Sequence, residues 1–168
     1  MQADLSPVIA ATAQWLTRSF PAPGGALAAA LCEVQARQAV TVAARLRYPT
    51  AMDAALVAVA GPGGSARLDW VTGADADGGV SVDGWRTWVD EVVASWAACL
   101  LAEPALASQA VGALGSGAAG EFRRLLGPDE TDRRASALLR HPDLLAPVAA
   151  LHRASLDARL GADTTLAA

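Results

Sequence analysis

Between Trp85 and Leu100, apolar residues return at three- and four-residue steps: Trp85, Trp88, Val92, Trp96 and Leu100. That interval is the repeat of one helix face, so the stretch predicts a helix over 85–102 with that face against a core. Upstream, Val8, Ala11, Trp15, Leu16 and Phe20 predict a first helix over 3–20. Ser6-Pro7 opens it, because proline is tolerated in a first helical turn. Leu27, Leu31, Val34, Val42 and Leu46 predict a second helix over 26–47, stopped by Tyr48-Pro49. Thr50 can cap a third, over 51–60.

The breaks fall at FPAPGG (20–25), GPGG (61–64) and the small-residue stretch 112–120. Glycine and proline together punctuate helices firmly. Pro104 opens a further short helix, and two or three more fill 121–160, divided near Gly127-Pro128 and His141-Pro142. Residues 65–84 are the least regular, and only the neighbourhood of Val80–Val82 invites a short strand. The expected fold is therefore all-α: six to eight helices in one compact multi-helix domain over 1–161, then a flexible tail over 162–168.

Hydrophobic residues make up 53% of the 168 and charged residues only 18%. A core of good size can form, and disorder is excluded. All 13 basic residues are arginine, which fits GC-rich codon usage, and the net charge is −4. No arginine-rich face stands ready to neutralise phosphates, which disfavours nucleic acid as a partner. The longest apolar run, Val92 to Ala102, is shorter than the roughly 20 residues a membrane span needs. Cys32 and Cys99 lie in apolar helical stretches and read as buried free thiols. The opening MQADLSPVIA has no positively charged segment, so a cytoplasmic location is expected.

Charge is concentrated in one place. Six acidic side chains lie from Asp69 to Glu91, against Arg86. Within that span, residues 73–84 can be laid on a twelve-place calcium loop. Such a loop alternates oxygen ligands, bends at a glycine in the sixth place and closes on a bidentate glutamate in the twelfth. Asp75 takes the third place, Asp77 the fifth, Gly78 the sixth, Val80 the eighth, Ser81 the ninth and Asp83 the eleventh, and Trp85 follows. The text DADGGVSVDGW resembles the loop of bacterial EF-hand calcium-binding proteins of the calerythrin or sarcoplasmic type. The resemblance implies EF-hand-like helix–loop–helix pairs, with Asp75, Asp77, Ser81 and Asp83 as the metal-binding candidates. Gly73 and Gly84, however, stand where the first aspartate and the closing glutamate belong. Without that clamp, affinity falls past the roughly millimolar end of the EF-hand range, so no metal or other cofactor is expected.

The tryptophans carry the first functional expectation. Trp85, Trp88 and Trp96, joined by Trp70, could line an apolar groove for a hydrophobic small molecule or an amphipathic helix. A metal-independent binding or interaction protein follows. The alternative is a cofactor-free enzyme, an isomerase or cyclase, acting on a hydrophobic small molecule. Asp90, Glu91 or His152 would then move protons. A weak calcium-binding protein is the third reading.

Overall fold

The computed structural model describes residues 4–74, 84–136, 139 and 141–166. Among these the chain is all-helical, with ten α-helices and no strand. They are α1 (Ser6–Ser19), α2 (Ala26–Arg47), α3 (Ala51–Ala60), α4 (Ala66–Thr72), α5 (Glu91–Ala102), α6 (Pro104–Ala113), α7 (Arg123–Leu126), α8 (Glu130–Ala135), α9 (Pro142–Ala149) and α10 (Arg153–Leu166). Short 3-10 helices cover Gly84–Trp88 and Ala118–Gly120. The count exceeds the expected six to eight because α4, α7 and α8 are only 7, 4 and 6 residues long. Helices that short depend on tertiary support rather than on their own propensity.

α5 is the centre. Every residue from Val93 to Leu101 is buried, so this helix is covered all round and not along one stripe. It packs on α2 and α9, and α1 lies across α2. Both helices are rich in buried small residues: Ala36, Ala39, Ala43 and Ala44 on α2, and Ala94, Ala97 and Ala98 on α5. Small side chains let two helix axes approach to the close end of the usual 8–10 Å range. Buried apolar residues from Val8 to Leu160 form one contiguous core.

α5 also closes the turn between α9 and α10. Ser95 Oγ donates to Ala149 O at 3.0 Å and accepts from His152 N at 3.0 Å. Cys99 Sγ donates to Ala149 O at 3.4 Å. Trp96 Nε1 reaches His152 O at 3.2 Å and Ser155 Oγ at 3.0 Å. Carbonyls at a helix end lack partners within their own helix and need outside donors. Here three side chains of the central helix provide them.

The helix expected over 85–102 is two elements. Residues 84–88 are 3-10, and α5 begins only at Glu91. Asp90 makes the break. Its backbone is extended, with φ −107° and ψ 114°, and its carboxylate accepts from Val93 N at 3.1 Å. An aspartate in that role ends one element and starts the next. Residues 65–84, expected to be irregular, hold α4, which Leu68 and Asp69 anchor by burial. α10 continues to Leu166. No described helix is long and apolar enough to cross a membrane.

Candidate functional site

α3 has the sequence AMDAALVAVA, and only Ala54 and Val57 are buried along it. Thr50 and Asp53 hold its start in a reciprocal capping box, which occupies the only ionisable side chain of the helix. The outward side is wholly apolar. Met52 is 68% exposed, Leu56 61% and Val59 90%. With exposed Ala55 they stand at i, i+3, i+4 and i+7, one continuous stripe.

At its C-terminal end this stripe runs into a cleft of about 520 Å³. The walls are Ala58 to Gly61, Gly63, Gly64 and Arg86 to Trp88. The floor is held by Gly64 N donating to Val89 O at 3.1 Å, which ties the GPGG segment to the end of the 84–88 turn. Gly61, Gly63 and Gly64 have φ of 74°, 107° and 89°. L side chains rarely adopt those angles, so the bend needs glycine.

The four tryptophans proposed from sequence fall in four environments. Trp88 is half-buried and forms one wall of the cleft. Trp85, also half-buried, lies under two guanidiniums: Arg18 at 5.3 Å and Arg86 at 5.0 Å from the ring centroid. These cation–π contacts hold its ring in place. Trp96 is 3% exposed, with its indole nitrogen bonded at the α9–α10 turn, and belongs to the core. Trp70 is 73% exposed. The break at Asp90 separates Trp85 and Trp88 from Trp96, so the face expected from a continuous helix does not form.

The carboxylates are engaged. Asp90 is buried, receives the Tyr48 hydroxyl on Oδ2 and caps α5 with Oδ1, while its own N–H donates to Thr12 Oγ1 at 3.1 Å. Glu91 lies 2.7 Å from His152 Nε2 and receives Arg67 at 3.2 Å, so it joins α4 and α5 to the start of α10. Neither carboxylate nor His152 lines the cleft beside Trp88. Asp75, Asp77, Ser81 and Asp83, with Val80 and Val82, lie outside the described residues. Among the described residues no group of three or more His, Cys, Asp or Glu could hold a metal ion.

A buried carboxylate that the sequence did not single out has the densest set of partners. Asp69 accepts from Trp15 Nε1 at 2.8 Å, from Ser65 Oγ at 2.7 Å and from Arg86 at 3.0 Å on each oxygen. It fastens α4 to α1 and to the 84–88 turn, and so sets where Arg86 and Trp88 stand in the cleft. The readable signal was Ser65 four residues before Asp69, one turn apart on a helix. The α3 stripe was readable too, because a ten-residue segment with one charge leaves no polar face.

Both cysteines are buried and free. Burial pushes the Cys32 and Cys99 thiols from 9.0 up to about 11. It raises Tyr48 as well, with Asp90 adding to the shift. Each folded-state value exceeds the unfolded one, so the contribution to stability is complete below the unfolded pKa and fades as pH rises through the folded one. Stability is expected to fall between pH 9.0 and about 11. Urea midpoints measured across that range check it, and a flat profile refutes it. Ellman's reagent at mildly alkaline pH is expected to leave the native thiols unmodified and to titrate both in guanidinium.

Comparison with protein-family models, with curated proteins and with solved structures returns no match.

Proposed function

We propose that this is an interaction protein that binds an amphipathic helix along α3, with the Trp88 cleft taking one bulky anchor side chain. The observation that carries the reading is the α3 stripe. A helix apolar on every side belongs inside a core, yet Met52, Ala55, Leu56 and Val59 are uncovered. Covering a Met, Leu or Val side chain fully stabilises a complex by about 1.5–3 kcal/mol each. An apolar stripe at i, i+3, i+4 and i+7 is the face by which one helix packs along another. An apolar small molecule is the weaker occupant. Most of the cleft wall is glycine, alanine and an arginine, and only Trp88 and Val59 offer broad apolar surface.

Anisotropy titration of a fluorescein-labelled 18-residue Leu/Glu/Lys peptide with one leucine face tests this. A scrambled peptide of the same composition is the control. The faced peptide is expected to bind saturably and the scrambled one at least about ten-fold more weakly, a difference near 1.4 kcal/mol. Leu56→Glu is expected to remove the preference without changing the circular dichroism, because the side chain is exposed. Equal binding of the two peptides would sink the reading. The EF-hand-like text at 73–84 enters this reading as a loop that has lost its ion. Adding about 5 mM calcium, above the weak end of EF-hand affinities, is therefore expected to leave the titration unchanged.

A further inference from the structure

We infer that Met52 is the place where a hydroperoxide acts on this protein, and that its sulfoxide shuts the α3 surface to a partner until a reductase removes the oxygen. The second half rests on α3 being the docking surface. The first half stands on the sulfur atoms alone.

The chain has four sulfurs, those of Met1, Cys32, Met52 and Cys99. Both thiols lie in the core, at 2% and 1% exposure, and Cys99 Sγ is bonded to Ala149 O. Burial also keeps them protonated, and the thiolate is the form that reacts with peroxide. Met52 is 68% exposed. A thioether has no proton to lose, so access alone decides its reactivity. Its lone pair attacks one oxygen of hydrogen peroxide and the O–O bond breaks. The sulfur keeps that oxygen, and the other leaves with both hydrogens as water. Sulfur is oxidised by two electrons, and the peroxide is reduced by the same two.

The position gives this chemistry its effect. Met52 is the second residue of α3 and begins the stripe that continues through Ala55, Leu56 and Val59. Of those four side chains it alone can change polarity without a change of sequence. Oxidation turns an apolar thioether into a strong acceptor. No stripe side chain carries a donor for that oxygen, and neither does the apolar face of a partner helix. Covering it therefore costs the desolvation of an unpaired polar group. The fold of α3 is left alone. Helical side chains lean toward the N-terminus, and the positive end of the helix suits an oxygen dipole there. Only the face presented to other molecules changes.

Peroxide treatment of the whole chain, stopped with catalase and followed by peptide mapping and anisotropy, tests the inference. Trypsin cuts after arginine and leaves the four sulfurs on four separate peptides. A gain of about 16 Da is expected on peptide 48–67 before either cysteine peptide changes. Affinity for the leucine-faced peptide, which has no sulfur of its own, is expected to fall at least about ten-fold. It is expected to recover on treatment with the two methionine sulfoxide reductases and dithiothreitol, one enzyme for each sulfoxide epimer. Met52→Gln, whose amide holds an oxygen on the stripe, is expected to bind as weakly as the oxidised protein without any peroxide. Met52→Leu is expected to have one affinity before and after peroxide, and circular dichroism is expected to stay constant throughout. Cysteine oxidation ahead of Met52 overturns the site. A Met52 sulfoxide that binds the peptide at full strength overturns the switch, while the docking reading stands. An equal loss in Met52→Leu places the effect at another residue and overturns it too. No preference for the faced peptide before peroxide rejects the docking reading and the switch with it, and the peptide map still decides the site.

Discussion

Asp69→Ala is expected to lower stability by about 3 kcal/mol, or on the order of 10 °C in the thermal midpoint of a chain this long. The carboxylate serves three donors from three parts of the chain: Trp15, Ser65 and Arg86. Removing it strands the indole N–H of Trp15, which is fully buried, and leaves Arg86 without the charge it was paired to. A buried donor without an acceptor costs about 1–3 kcal/mol, and breaking the partly buried ion pair adds to that. Arg86 keeps some exposure and can turn toward water, which holds the loss below the upper end of about 5 kcal/mol seen for enclosed pairs. Asp69→Asn keeps the shape and one acceptor oxygen, and is expected to lose about half as much. Chemical denaturation of the three proteins decides. A loss under about 1 kcal/mol for the alanine variant would mean that the Trp15, Ser65 and Arg86 contacts do not hold α4 in place.

Trp96→Ala is the second large effect, a loss of about 3–5 kcal/mol. The indole fills space in the core and supplies the N–H that His152 O and Ser155 Oγ accept. Truncation therefore opens a cavity at the central helix and loosens the α9–α10 turn together. Trp70→Ala is the matched control. The same deletion at a side chain 73% exposed is expected to change stability by no more than about 0.5 kcal/mol. Urea unfolding of both variants checks the contrast. Equal effects would overturn the assignment of Trp96 to the core.

The contrast marks where the sequence was readable. α2 and α3 begin and end where the residues predict, at 26–47 and 51–60, because proline, glycine and a capping threonine bound them locally. Their ends are decided by backbone chemistry within four residues of each other. The break inside the tryptophan-bearing stretch 85–102 is not legible for the opposite reason. The period continues smoothly through Val89 and Asp90, and the break depends on partners far along the chain: Thr12 at one side of Asp90 and Tyr48 at the other. Period alone cannot report a partner 42 or 78 residues away. α4 shows the same limit. Its seven residues hold too little periodicity to be seen, and what secures them is the side chain of Asp69 reaching α1. The α3 stripe was legible as composition but was spent on predicting a helix. Only the fold reveals which sides of that helix remain bare.

The enclosure of α5 has a consequence for how this chain can change over generations. From Val93 to Leu101 no position has a side free of neighbours, so a larger residue has nowhere to go and a smaller one leaves a void. Substitutions there are tolerated mainly as compensating pairs, an enlargement on α5 matched by a reduction on α2 or α9. Drift is thereby channelled to the outer helices, whose exposed sides can diversify while the axle stays the same.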